Sequence, residues 1–418
     1  MKRFLVSLLL CLTLVFSTTV GFAASNSNQD LSADNNKFLT QDEVLKLAEY
    51  DLATYVIPEL NNNIKLQVDR SLIELKDVNE NKYVYLLSIQ DEGRNIGYMI
   101  IDARKNGYGV IERSLNNNEF SLIRMNFSEL KSGDSMLYMF PSLFIVKEKI
   151  GDNINYKQIK ENGEKKDITN FINARKNDIK ESINELYKNR SNIRIPTSLN
   201  ATSQNESVSV LDEPNFVPVY GYDENVGYVH QMYGGNQIWF SEKLGQDEGC
   251  GTVAAANIAY YLAKYRYGYE NLYKYSDITK DNFIKHMEEV YKYVTPSTSV
   301  LPGIPSKSDL VIKFESFAKS RGVNLKADLS DIPHSIEPVS TYIKAGLSKN
   351  SPVAFLMNYN SKYPEFNFHW MTITKYFRNV TTDERDIAVS SWATRYSLNL
   401  KYILDYDQYL SVAFVYFE

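Results

Sequence analysis

The residue types able to supply thiol chemistry are scarce in this chain: two cysteines and four histidines in 418 residues. Cys250 stands in 245-GQDEGCGTVAAANIAYYLAKYRYG-268, between Gly249 and Gly251 at the mouth of an alanine-rich run. A cysteine in the first turn of a helix meets free backbone N–H groups and a partial positive charge, which favour thiolate over thiol. The same N–H groups can receive the oxyanion that forms when a carbonyl is attacked. The flanking glycines permit close backbone approach. The pattern predicts a nucleophile; the competing reading is a buried thiol packing as a small hydrophobe.

A thiol nucleophile needs an imidazole within hydrogen-bond reach. His286 falls on a charged helical stretch and reads as solvated, His334 in 331-DIPHSIEP-338 as a loop residue, and His230 as a surface or packing residue. His369 opens the strand-like run 368-FHWMTITKYF-377, where a base is held rigidly. It is the expected base. The neighbouring acids Asp247 and Glu248 would oppose thiolate formation, so they are expected to point outward. No phosphate-cradling glycine loop is present, the histidines are scattered, and a second thiol to share a metal is missing; neither cofactor nor metal is expected.

The other cysteine, Cys11, lies within 4-FLVSLLLCLTLVF-16, after Lys2 and Arg3 and before the small residues of 19-TVGFAAS-25. This is the pattern of an export signal over residues 1–23, a retained anchor being the alternative. Leu10 is not the small residue a lipid-attachment box wants before Cys11. The expected mature chain is therefore secreted, extracellular or in a bacterial cell envelope, with Cys250 unpaired and no membrane anchor. An unpaired thiol in oxidising surroundings asks for a reason. The net charge of −5 argues against a nucleic-acid partner. Of the 31 tyrosines, those in 260-YYLAKYRYGYENLYKY-275 read as a packing and surface layer.

The elements that must position these residues follow from period and punctuation. A polar stretch, 25–37, reads as disordered. Thr40 and Glu43 form a capping signature for a helix over 40–60. Strand-like runs at 82–90, 96–103 and 109–114, with one more strand over 137–148, suggest a small antiparallel α+β domain. Residues 168–189 show helical spacing. The stretch 195–210, rich in Ser, Thr and Asn, reads as a protease-sensitive linker. Beyond it come the cysteine helix, helices over 281–294 and 307–322, and strands at 352–359, 368–377, 386–393 and 411–417. The expected fold class is α+β. The expected division is a leader (1–23), a propeptide-like or accessory domain (24–210) and a C-terminal domain (211–418).

In the order of these elements the C-terminal region resembles the papain-like cysteine peptidases. Gln246 precedes Cys250 as the family's oxyanion-hole glutamine precedes its nucleophile, though at a spacing of only four residues. A long helix follows the cysteine. Pro352-Val353 opens a strand before Asn367 and His369, and Ser390-Ser391-Trp392-Ala393 is similar to the family's asparagine–serine–tryptophan–glycine. The GCG core is similar to the bacterial branch related to double-glycine (bacteriocin-leader) peptidases. The resemblance covers about the last 200 residues. It implies a nucleophile helix packed on an antiparallel sheet, with Cys250, His369, Gln246 and Ser390 as site residues. Ser390 would stand in for the asparagine that orients the histidine, with Asn399 and Asp386 left open. Ala393 replaces a glycine.

The activity these features imply is hydrolysis of peptide bonds in a protein or peptide substrate by a secreted thiol protease. The expected form is a zymogen whose residues 24–210 dock on the catalytic domain. Two alternatives stand beside it: a catalytically weak module of the same fold used for surface or partner binding, and an acyl- or amide-transferring thiol enzyme.

Overall fold

The computed structural model describes residues 37–60, 65–160, 163–197, 205–223, 228–298, 303–358, 368–406 and 412–418. The expected leader with Cys11, nearly all of the polar stretch 25–37, and Asn367 lie outside the described residues.

The fold is α+β, as the alternation of periods predicts. Helix α1 (Gln41–Asp51) starts at the expected capping box: Thr40 Oγ1 accepts from the Glu43 N–H, and Glu43 Oε2 accepts from the Thr40 N–H at 2.7 Å. It runs on through a π-helical turn, Leu52–Val56, to Ile57–Leu60. Strands β1 (Leu66–Val68), β2 (Ile73–Lys76), β3 (Lys82–Asp91), β4 (Arg94–Asp102) and β5 (Val110–Ser114) follow. Then come α2 (Asn117–Ser128), β6 (Ser135–Met139), β7 (Leu143–Ile150), β8 (Asn153–Ile159), β9 (Lys165–Asp167) and α3 (Thr169–Leu186). The single strand expected over 137–148 is thus a hairpin, turned at Phe140–Ser142, because Pro141 cannot donate to a ladder.

The later half contributes β10 (Asn205–Ser209), β11 (Pro218–Asp223), β12 (Tyr228–Tyr233), α4 (Lys243–Glu248) and α5 (Cys250–Tyr265). It continues with α6 (Lys280–Tyr291), α7 (Lys307–Ser320), α8 (Ile336–Ser348), β13 (Val353–Asn358), β14 (Phe368–Asn379), β15 (Glu384–Ser391), β16 (Thr394–Asn399), α9 (Leu400–Tyr406) and β17 (Ala413–Val415). Among the described residues one sheet runs β17-β13-β14-β15-β16-β5-β4-β3-β2-β6-β7-β8-β9, with β1 added on β3 and β10 on β14.

Two expectations change here. The stretch 195–210 is not irregular throughout, since β10 pairs antiparallel with β14 from Asn205↔Asn379 to Ser209↔Lys375. Ladder hydrogen bonds come from the backbone, so a polar edge strand can carry a linker's composition. Nor does the sheet break between the two expected domains. β5 pairs with β16 at Ser114↔Tyr396, Arg113↔Ser397 and Glu112↔Leu398, and residues 39–418 form one compact unit with a shared core.

The joint is also ionic. Arg113 Nε donates to Asp51 at 2.6 Å and Nη1 to Asp386 at 3.1 Å, all three being buried. Glu59 takes Lys375 Nζ at 2.9 Å and also pairs with Arg395, whose Nε reaches Glu213 at 2.8 Å. Tyr83 and Tyr402 share a hydrogen bond across the same seam. Buried charges of this kind persist only when paired.

Candidate active site

Helix α5 is buried on every side from Cys250 to Leu262 and packs against β14, which explains its run of small apolar residues. The two glycines beside the sulfur are steric requirements. A Cβ on Gly249 would stand 2.3 Å from the Gly245 carbonyl oxygen, and one on Gly251 would stand 2.7 Å from Ile304 Cγ1. Cys250 therefore takes the first helical position with neighbours packed tightly on both sides.

Strand β14 carries His369 to the same place. Cys250 and His369 line one cavity with Gln237, Asn257, Ser390, Ser391 and Trp392, and its free volume of about 10 Å³ suits a single water. Ser391 Oγ lies 2.7 Å from His369 Nε2. The indole of Trp392 stacks on the imidazole at 4.3 Å between centroids and 19° between planes. Ser391 thus engages Nε2 and leaves Nδ1 as the other ring nitrogen able to donate or accept a proton.

The turn that presents Trp392 is a two-residue hairpin between the paired residues Ser391 and Thr394. Both central residues are left-handed, Trp392 at φ +48° and Ala393 at φ +61°, where asparagine and glycine are the usual occupants. Tertiary bonds hold them: Ala393 N–H donates to the Gly235 carbonyl at 2.9 Å, and Asn236 Nδ2 to the Trp392 carbonyl at 3.2 Å. Ala393 thus occupies a left-handed position that favours glycine.

Burial sets the electrostatics. It pushes the Cys250 thiol up to about 11, against the Trp370 backbone N–H on β14 and, less, the N–H groups of the helix start, and with help from the Glu248 carboxylate. Burial also drives the His369 imidazole down to about 3, and nearby Lys160 adds to the shift. The expected thiolate at a helix mouth is therefore a neutral thiol beside a neutral imidazole. The helix dipole acts over one turn and is worth less than full desolvation of a charge.

Other expected positions move. Gln246 does not line the cavity; on α4 its Nε2 folds back to the Phe240 carbonyl at 2.8 Å. Gln237 lines it instead, with Nε2 on the carbonyls of Gln246 (2.8 Å) and Asp247 (3.1 Å), the chain entering Cys250. Ser390 lines the cavity yet does not hold the histidine. Its Oγ donates to the Tyr233 carbonyl at 2.8 Å and accepts from Asn257 Nδ2 at 3.3 Å. Successive strand residues face opposite ways, so a one-residue step exchanges the partners. Asp386 is committed to Arg113, and Asn399 bonds Val110 and Tyr402. Asp247 points outward to Lys243 as expected, whereas Glu248 is half-buried.

His286 overturns its expected solvation. It is fully buried, its Nε2 lies 3.1 Å from the Ala256 carbonyl oxygen, and burial holds its ring down to about 4. Phe283, His286, Met287 and Val290 are buried together at i, i+3, i+4 and i+7 on α6, a stripe visible in the sequence. Asn257 was missed, although its signal was present: seven residues after Cys250, it lies two helical turns down the same face. Gln237, distant in sequence from any motif, gave no such signal. No model of a known protein family matches this chain, and comparison with curated proteins finds no match.

Proposed function

We propose that this chain is an exported cysteine peptidase of papain-like architecture, held latent by its own N-terminal half. The observation that carries the proposal is the shared cavity of Cys250 and His369, with Ser391 on one ring nitrogen and Trp392 on the ring face. In the reaction, His369 Nδ1 takes the thiol proton as Sγ attacks the substrate carbonyl carbon. N–H groups at the start of α5 hold the oxyanion, collapse gives a thioester, and the imidazolium returns its proton to the leaving amine. Water then attacks the thioester with His369 as base, which frees the acid and the thiol.

Latency fits the burial of both reacting groups. The β8–β9 hairpin of the N-terminal half lies close: Lys160 depresses the His369 imidazole and, with Glu119 and Trp392, lines an adjoining small cavity. Lys166 acts on Glu248 beside the nucleophile. A cut in the 195–215 stretch would not by itself release this half, because β5–β16 pairing and the Arg113 and Glu59 ion pairs would still hold it.

The test compares intact chain with chain nicked near residues 195–215, using a thiol-directed irreversible probe at neutral pH. Labelling of Cys250 is expected to be slow in the intact chain, to accelerate on displacement of the N-terminal half, and to be lost in His369→Ala. Mass analysis of wild type beside Cys250→Ala reports any self-processing. A rate that stays at the level of an ordinary peptide thiol in every form sinks the peptidase. It would favour the second reading, a binding module, which the neutral buried pair also fits.

A further inference from the structure

At the far end of β14 and β15 from His369, a second cavity of about 580 Å³ opens between the two halves of the chain, a size typical of small-ligand sites. It shares no lining residue with the Cys250 cavity. His369 and Asn379 stand at opposite ends of β14, roughly 33 Å apart at the rise of a strand. The walls come from α1, the 107–110 loop, residues 190–197, the β14–β15 turn and the start of α9.

Most charges in these walls are already satisfied. Asp51 holds Arg113, Arg190 pairs with Asp405 at 3.2 Å, and Asp383 is shared by Arg378 and Arg385. Three lining charges have no ion-pair partner among the described residues: Glu384, Arg194 and Lys401. Glu384 accepts the Thr382 hydroxyl at 3.1 Å and, with Arg113 nearby but held by Asp51 and Asp386, forms no ion pair among the described residues. Burial, with Asp386 and Asp51 nearby, pushes its carboxyl up to about 7 even though Arg113 pulls the other way. Arg194 and Lys401 are exposed at the rim, and the strap that carries Arg194 is pinned by Ile193 N–H to the Lys105 carbonyl at 2.7 Å.

One carboxylate within and two cations at the rim, none of them in an ion pair among the described residues, suit a ligand carrying both opposite charges. We propose that this cavity binds a short peptide with free termini, its α-ammonium on Glu384 and its α-carboxylate on Arg194 and Lys401. Both contacts are charge-assisted, and the guanidinium can grip a carboxylate with two parallel N–H donors. The proposal does not depend on the chemistry assigned to Cys250. Because the lining residues come from both halves, an occupied cavity would brace them against each other.

Calorimetric titration of the full chain carrying Cys250→Ala, with triglycine as probe, tests the proposal without hydrolysis of the probe. One saturating site per chain is expected. N-acetylation of the probe, or Glu384→Gln, is expected to weaken binding by about tenfold or more. C-terminal amidation, Arg194→Gln and Lys401→Gln are each expected to weaken it several-fold. Binding unmoved by both Glu384→Gln and N-acetylation overturns the proposal, as does failure to saturate. Free glycine binding as tightly as triglycine overturns the assignment to a peptide. A thermal melt of Glu384→Gln checks its fold, and the exposed Lys401→Gln keeps the question answerable should that variant not fold.

Discussion

Strands β14 and β15 have two ends, and they are built on opposite principles. At one end His369, Ser391 and Trp392 share a cavity for about one water with Cys250, where burial keeps thiol and imidazole neutral. At the other end Asp386 and Asp51 hold Arg113, and Glu384 and Arg385 line a cavity of about 580 Å³. The first end admits about one water and lets desolvation decide protonation; the second gathers charges and pairs most of them. The contrast explains how one ribbon can carry a desolvated thiol and imidazole at one end and a charged joint at the other. Roughly 33 Å separates them, far beyond a Debye length at physiological salt, so neither field disturbs the other.

The comparison breaks most visibly at the joint. Arg113→Met strands Asp51 and Asp386 in the interior, and a loss of about 3–5 kcal/mol is expected in denaturant unfolding. Adding Asp51→Asn and Asp386→Asn to Arg113→Met should recover much of it, as a charge-compensation account requires and a packing account does not.

The joint's dependence on pH follows from Asp386. Burial and the nearby Asp51 raise its carboxyl from 3.8 to about 6, although Arg113 pulls the other way. A folded-state value above the unfolded one means the contribution is full below about pH 4 and is lost as pH rises through about 6. Removing the group as Asp386→Asn should therefore shift the stability difference in the variant's favour by about 2–3 kcal/mol between pH 4 and 7. A difference that stays flat over that range would mean Asp386 is ionised throughout.

At the closed end the discriminating pair is Ser391 and Ser390. Ser391→Ala leaves the buried His369 Nε2 without its 2.7 Å partner, for about 1–3 kcal/mol of stability, and should change the ring's tautomer signature in histidine-selective NMR. Ser390→Ala should leave that signature in place while loosening the Tyr233–Asn257 link. The reverse result would restore Ser390 as the orienting residue. The smallest effect is expected at the hairpin, where Ala393→Gly relieves a left-handed alanine at φ +61° and should stabilise the protein by about 1 kcal/mol or less.

Much of the candidate site was legible from local chemistry. Cys250 between close-packed glycines, an alanine-rich helix behind it, and His369 on a strand could each be read from neighbours in sequence, because sterics and period act locally. The failures share a cause. Ser390 and Ser391 are adjacent, and only the pleat of β15 decides which one meets the imidazole. Gln246 looked apt by order, yet α4 turns its amide back on Phe240 while Gln237 reaches the cavity from the preceding loop. His286 was misjudged because the charges around it were counted and the stripe of Phe283, Met287 and Val290 was not.

The sequence by itself determined the α+β class, the helix and strand periods, and which sulfur and imidazole, Cys250 and His369, were expected to meet. These depend on steric contacts within a few residues and on which side chains can carry a proton. The tertiary structure alone decided that the two expected domains share one sheet, that Arg113 answers acids from both halves, and that the thiol is neutral. Desolvation and long-range charge depend on how completely distant segments close over a group, and no local window of sequence contains that information.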